Sequence, residues 1–108
     1  MLKGLRSLTQ AIDKFRSLDS AATARDIHAF CVVAGWDNDD VGPSLSDLVT
    51  QLGLPTASRG TDLLNKLGPG KLDLIEEFRD PIDKRTKRLR LTRTGETLRI
   101  QLINIMER

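Results

Sequence analysis

Positive charge in this chain is concentrated where phosphate recognition would need it. Positions 79 to 93 hold Arg79, Lys84, Arg85, Lys87, Arg88, Arg90 and Arg93 against only Asp80 and Asp83, a surplus of five. Such a strip neutralises phosphates and releases their counterions. Arg88 and Arg90 alternate with Leu89 and Leu91, the period-two pattern of a half-buried strand. Glu76 and Glu77, on the strand before it, are expected to pair with Arg88 or Arg90 across the ladder. Lys84 and Arg85 sit at the tip of the resulting hairpin, with no acidic strand opposite them. A second polar set, Thr56, Ser58, Arg59, Asn65 and Lys66, falls on the outer face of a short helix read from Pro55 to Leu67. Arg59, Asn65 and Lys66 can donate to base edges or phosphates, and Thr56 and Ser58 can meet phosphates near the helix N-terminus.

The elements that must hold these residues can be read from apolar spacing and caps. Leu2, Leu5, Leu8, Ile12, Phe15 and Leu18 recur every three or four residues, one stripe of a helix. Thr23 with Asp26 predicts the start of a second helix, whose inner face is Ile27, Phe30, Cys31 and Ala34 and whose end is Gly35. Residues 36–43 read as a loop. Ser44 with Asp47 repeats the cap before Leu45, Leu48, Val49 and Leu52, and Gly53 supplies a left-handed stop. Pro55 opens the next helix, with Ala57, Gly60, Thr61, Leu64 and Leu67 directed inward. Gly68-Pro69-Gly70 breaks the chain. Leu72–Phe78 and Thr86–Leu91 read as antiparallel strands. Thr92 or Thr94 then caps a last helix with Leu98, Leu102, Ile105 and Met106 on one side, widened by Ile100 and Ile103. The expected fold is α+β, mostly α, in the order α-α-α-α-β-β-α, a winged helix-turn-helix in which the second helix of the pair enters a major groove.

From these residues the chain resembles the multiple-antibiotic-resistance-type (MarR-type) winged-helix regulators. The carriers are Asp80-Pro81-Ile82-Asp83-Lys84-Arg85, Leu91-Thr92 and Gly95, with Ser58-Arg59 and Leu64 before them, over roughly residues 44 to 98. The resemblance implies a homodimer on a near-palindromic duplex site, with each wing in a minor groove and each recognition helix in a major groove. It implies that Arg85 enters the minor groove, that Asp83 stabilises the wing, and that the first and last helices pair between subunits. The expected organisation is one domain over 1–108, with dimerisation helices at 1–20 and 94–108, a helix-turn-helix at 44–67 and a wing at 71–92. The DNA-binding set is Thr56, Ser58, Arg59, Asn65, Lys66, Lys84, Arg85, Lys87 and Arg88. Family members usually carry more helix outside the DNA-binding lobe, so a small-molecule effector is not expected. The leading reading is a sequence-specific regulator of transcription, a repressor on an operator. The alternatives are a winged-helix protein-interaction module and a DNA-binding part of a plasmid or phage segregation or replication complex.

Composition excludes several other classes. The formal net charge is only +2, so location rather than total charge carries the argument. Cys31 is the single cysteine, which rules out an intrachain disulfide and suits a reducing compartment. No apolar run nears the roughly 18 residues of a membrane span, and the expected location is the cytoplasm. His28 is the single histidine, so no conventional nucleophile–histidine–acid triad can form in one chain, and an enzyme is not expected. Asp37, Asp39 and Asp40 suggest a calcium loop, but Val41 and Leu48 occupy its fifth and twelfth ligand positions. Gly70-Lys71 fails as a phosphate loop, since Asn65 stands at the first glycine and Leu72 follows the lysine. Neither a metal nor another cofactor is expected. Cys31 is expected to be buried and inert, and Trp36 to plug the core beside Gly35.

Overall fold

Local capping chemistry sets most of the helix boundaries. The computed structural model describes residues 2–36 and 41–107. Its elements are α1 (Leu2–Leu18), α2 (Ala24–Ala34), α3 (Leu45–Leu52), α4 (Ala57–Leu67), β1 (Ile75–Arg79), β2 (Lys87–Leu91) and α5 (Arg93–Met106). This is the expected mostly helical α+β winged helix-turn-helix. The expectations for Asp37, Asn38, Asp39 and Asp40 lie outside the described residues.

At α2, the Thr23 hydroxyl accepts from the Asp26 amide at 3.2 Å, and the Asp26 carboxylate accepts from the Thr23 amide at 2.9 Å. Ser44 and Asp47 repeat this reciprocal cap at α3, at 3.1 and 2.9 Å. Each cap satisfies amides that the first turn leaves without partners. Gly53 ends α3 in the left-handed region, at φ 65°. The next cap is Thr56, so α4 begins at Ala57 and Pro55 stands just outside the helix rather than in its first turn.

β1 and β2 pair antiparallel, with Ile75 opposite Leu91 and Arg79 opposite Lys87. The first strand starts three residues later than the apolar pattern predicts. The Lys71 and Asp73 amides both close on the Gly68 carbonyl, and Asp73 itself has φ 54°, so the chain is still turning until Leu74. On the other side of β2, Ser44 forms an isolated bridge with Arg88, and the Leu89 amide donates to the Pro43 carbonyl at 2.8 Å. Gly42 allows this approach, since a Cβ there would lie 1.9 Å from the Leu89 carbonyl oxygen.

The Leu-Thr-x-x-Gly pattern also has a physical cause. The Thr92 hydroxyl caps the Gly95 amide at 3.0 Å and donates to the Asp73 carbonyl, while the Thr92 amide donates to the Leu74 carbonyl at 3.0 Å. A Cβ at Gly95 would meet that same Leu74 oxygen at 2.1 Å. Position 95 thus needs a glycine so that α5 can leave directly from the base of the hairpin.

Every element contributes to one apolar core: Phe15 from α1, Phe30 and Val33 from α2, Leu48 from α3, Leu63, Leu64 and Leu67 from α4, Ile75 from β1, Leu89 from β2, and Leu98 from α5. The inner face of α2 differs from the expectation. Asp26, Ala29, Phe30 and Val33 are buried, Ile27 and Ala34 are half-buried, and Cys31 is exposed. Partial burial in a surface cleft shared with Phe30, Ala34 and Leu102 still pushes its pKa up. Trp36 is half-buried beside β2 rather than a core plug, and its buried Nε1 has no hydrogen-bond partner among the described residues.

Helix α1 packs against α5, but not through its leucine stripe. Its buried residues are Ser7 and Phe15, while Leu2, Leu5 and Leu8 remain 72%, 60% and 48% exposed. Ile100 and Met106 of α5 are also about half exposed. The terminal helices therefore pair within the chain and still present a broad apolar surface to solvent.

Candidate nucleic-acid interface

Close packing of α3 on α4 decides what α4 shows to solvent. A Cβ at Gly60 would lie 2.7 Å from Val49 Cγ2 and 3.0 Å from Leu45 Cδ1, so the two helices meet at a side-chain-free spot. The buried residues of α4 are Gly60, Leu63, Leu64 and Leu67. Ala57 and Thr61 face outward instead of inward. Leu63 offers far more apolar area than either, and the helix is rolled to bury it. Thr56, Ser58, Arg59 and Asn65 are exposed as expected. Asn65 also lines a shallow concavity with Glu76 and Glu77 of β1, so the end of α4 adjoins the wing.

The wing tip is a braced turn. The Asp80 Oδ1 accepts from the Ile82 amide at 2.8 Å and the Asp83 amide at 3.1 Å, and the Asp80 amide donates to the Thr86 carbonyl at 2.9 Å. Asp83 accepts from the Arg85 amide at 3.1 Å and the Thr86 hydroxyl at 3.0 Å. Arg79 donates to the Lys84 carbonyl at 2.9 Å. The turn is therefore held by fixed acceptors, while the Arg85 side chain is 95% exposed and only 3.7 Å from one carboxylate oxygen of Asp83. Lys84 is also exposed and forms no ion pair among the described residues.

The other cations are placed unequally. Arg90 pairs with Glu76 at 3.1 Å, directly across the ladder, and its guanidinium lies 4.8 Å from the Phe78 ring centroid. Lys87 lies 3.7 Å from Glu77 and stays largely in solvent. Arg88, expected on Glu76 or Glu77 or in the DNA-binding set, pairs with neither glutamate and lies 3.1 Å from Asp80 and 3.8 Å from Asp47. Lys66, also expected on DNA, bonds Asp26 and lies 3.9 Å from Asp19, which ties α4 to α2 and to the turn after α1. Asp19, Asp26 and Asp47 are distant in sequence from the cations they meet, so no local pattern announces them, whereas Asp80 lies in the same hairpin as Arg88. Asp80 and Arg79 were missed as wing supports, although the Asp80-Pro81 pair marks the turn that Asp80 closes.

Two carboxylates here tie folding to pH. Burial pushes Asp26 up, but the Lys66 ammonium with the Thr23 amide and hydroxyl outweighs it and holds the carboxyl below its usual 3.8. Asp80 is held low by the Ile82 and Asp83 amides, against desolvation and with help from Arg88. A carboxylate whose folded pKa is depressed contributes stability above its unfolded value and loses it as pH falls through the folded one. Lys66 mirrors this: hydrogen bonding to Asp26 raises it above 10.5, so its share persists below 10.5 and is lost as pH climbs through the raised value. Urea midpoints are accordingly expected to fall steadily below pH 3.8, and Asp80→Asn is expected to flatten that fall. A variant as acid-sensitive as its parent would show that Asp80 is not a source.

No known family profile matches this chain, and no curated protein matches it by sequence. Solved structures do match. Staphylococcus aureus MepR in complex with DNA superposes with a TM-score of 0.72 at 24% identity, over 94% of this chain and 77% of MepR. The chain has the winged helix-turn-helix fold of that protein. Streptococcus pneumoniae FabT in complex with DNA matches with a TM-score of 0.62 at 21% identity, over 81% of this chain and 56% of FabT. Bordetella bronchiseptica BpsR, whose DNA binding is regulated by 6-hydroxynicotinic acid, matches with a TM-score of 0.61 at 21% identity, over 94% and 69%. That regulation of BpsR by a small molecule does not fit the expectation that this shorter chain takes no effector, and the expectation is not carried forward. No described helix is long and apolar enough to cross a membrane.

Proposed function

We propose that this protein is a sequence-specific double-stranded DNA-binding regulator of transcription, acting as a repressor. The observation that carries the reading is the wing tip, where a turn held by Asp80 and Asp83 projects Lys84 and Arg85 into solvent beside a helix with a polar outer face. A rigid turn loses little entropy when its cations are ordered on phosphates, and arginine suits the negative potential of a narrow minor groove. In this reading Arg85 and Lys84 enter the minor groove, Lys87 follows the backbone, and Thr56, Ser58, Arg59 and Asn65 meet major-groove edges or flanking phosphates. Asp83 shapes the wing. The similar proteins solved on DNA support the assignment.

The chain works as one domain and as a homodimer. Leu2, Leu5 and Leu8 with Ile100 and Met106 supply the apolar surface that a second copy would cover. Two-fold symmetry then places half-sites about one helical turn, roughly 10 base pairs, apart. Light scattering that finds a monomer at micromolar concentration would remove the dimer. The reading also implies a non-catalytic, cytoplasmic protein.

Fluorescence anisotropy on random duplex across a salt series tests the central claim. The log of the binding constant is expected to fall linearly with log salt, by about 0.9 for each phosphate neutralised. No binding at low salt, or a flat line, would overturn the DNA assignment and leave a protein-interaction role.

A further inference from the structure

We propose that Arg88 is a positioning residue that locks the wing to the helix-turn-helix, not a DNA contact; the consequence for DNA rests on the reading above. Arg88 lies on the basic strand, yet its side chain is only 26% exposed, against 61% for Lys87. Its Nε lies 3.1 Å from Asp80 Oδ2 and its Nη1 3.8 Å from Asp47 Oδ2. Asp80 closes the wing turn through the Ile82 and Asp83 amides. Asp47 belongs to the cap of α3, its Oδ2 also accepting the Ser44 amide at 2.9 Å. One guanidinium thus joins the tip of the wing to the start of the helix-turn-helix. The backbone reinforces the junction through the Ser44–Arg88 bridge and the Leu89 amide on the Pro43 carbonyl.

A planar fork with several donors can satisfy two carboxylates at once, whereas an ammonium is a single point charge. Moving Arg88 onto a phosphate would strip Asp80, whose side chain is only 9% exposed, of its cation. Retained in place, Arg88 fixes the spacing between the recognition helix and the wing tip before DNA arrives, so less ordering remains to be done on binding.

Arg88→Met keeps the stem and removes the fork; Arg88→Lys keeps the charge and removes the fork. Amide hydrogen exchange of the protein alone is read first. Exchange at Ile82, Asp83 and Leu89 is expected to quicken about tenfold in Arg88→Met, within the range of coupling between contacting groups. Unchanged exchange at these amides overturns the brace whether or not the protein binds DNA. Duplex affinity across a salt series is read second. Both variants are expected to lose about tenfold in affinity while keeping the parental log–log slope. A slope reduced by about 0.9 per chain identifies a phosphate contact and overturns the proposal. Full affinity in Arg88→Lys overturns the need for the fork. A parent protein that ignores duplex defeats the DNA reading alone, because the exchange measurement still decides the brace. Arg88→Gln, which also removes the charge, carries both measurements if Arg88→Met does not fold.

Discussion

Replacing Lys84 and Arg85 together with alanine is expected to weaken duplex binding by at least about 5- to 150-fold per wing, with little change in folding. That range is the about 1–3 kcal/mol usual for losing one specific groove contact, and the lost phosphate contact adds to it. Neither side chain supports the turn. Its side-chain acceptors belong to Asp80 and Asp83, the Lys84 and Thr86 carbonyls are backbone, and the donors are chiefly backbone amides, all of which alanine at 84 and 85 retains. The Arg85 side chain is 95% exposed, so its removal opens no cavity. Melting curves should therefore overlay, while the salt dependence becomes shallower by about 0.9 for each lost phosphate partner. Parental affinity in the double variant would exclude the wing tip from the DNA contact. Arg85→Lys separates shape from charge, because an ammonium lacks the planar group that suits a narrow groove.

Phe15→Ala is expected to cost about 3–5 kcal/mol of folding stability, the usual range for deleting a buried phenylalanine side chain. Phe15 is fully buried and meets Phe30 edge-on, with ring centroids 5.7 Å apart. It is also the sole large side chain that α1 commits to the core, since Leu2, Leu5 and Leu8 point to solvent. Against a typical total of about 5–15 kcal/mol for a domain, the loss leaves little margin. Urea denaturation followed by circular dichroism reads it directly. A loss below about 1 kcal/mol would mean that α1 is not docked as described. Phe15→Leu, which preserves most of the volume, is expected to retain much of the stability and keeps the comparison usable if alanine unfolds the chain.

The helix boundaries were legible because they are written in neighbouring residues. Thr23 with Asp26, Ser44 with Asp47, Gly53 and Thr92 each act within one turn, and each cap is present. The wing was legible for the same reason, through the alternation at Arg88–Leu91. What the pattern misplaced depends on distant partners or on competition between faces. Cys31 was expected inside α2, yet Ala29 and Val33 take the buried positions beside Phe30. Leu72 looked like the start of a strand, but the left-handed Asp73 delays pairing until Ile75. Lys66 reads as a DNA contact, and Arg88 as a DNA contact or a partner of Glu76 or Glu77, because Asp26 and Asp47 belong to elements far from them in sequence. Spacing shows that a residue is charged and outward; it does not show which carboxylate folding brings to it.

The strand-like contact just ahead of α3 has a bearing on solubility. An unpaired sheet margin is a template on which foreign chains can polymerise, and folded proteins blunt such margins. Here Pro43 already engages the Leu89 amide, so the margin of β2 is capped at its middle residue. The opposite margin is only five residues long and bears Glu76 and Glu77, whose charges discourage stacking. The hairpin can thus extend outward as a bare ribbon without seeding fibrils.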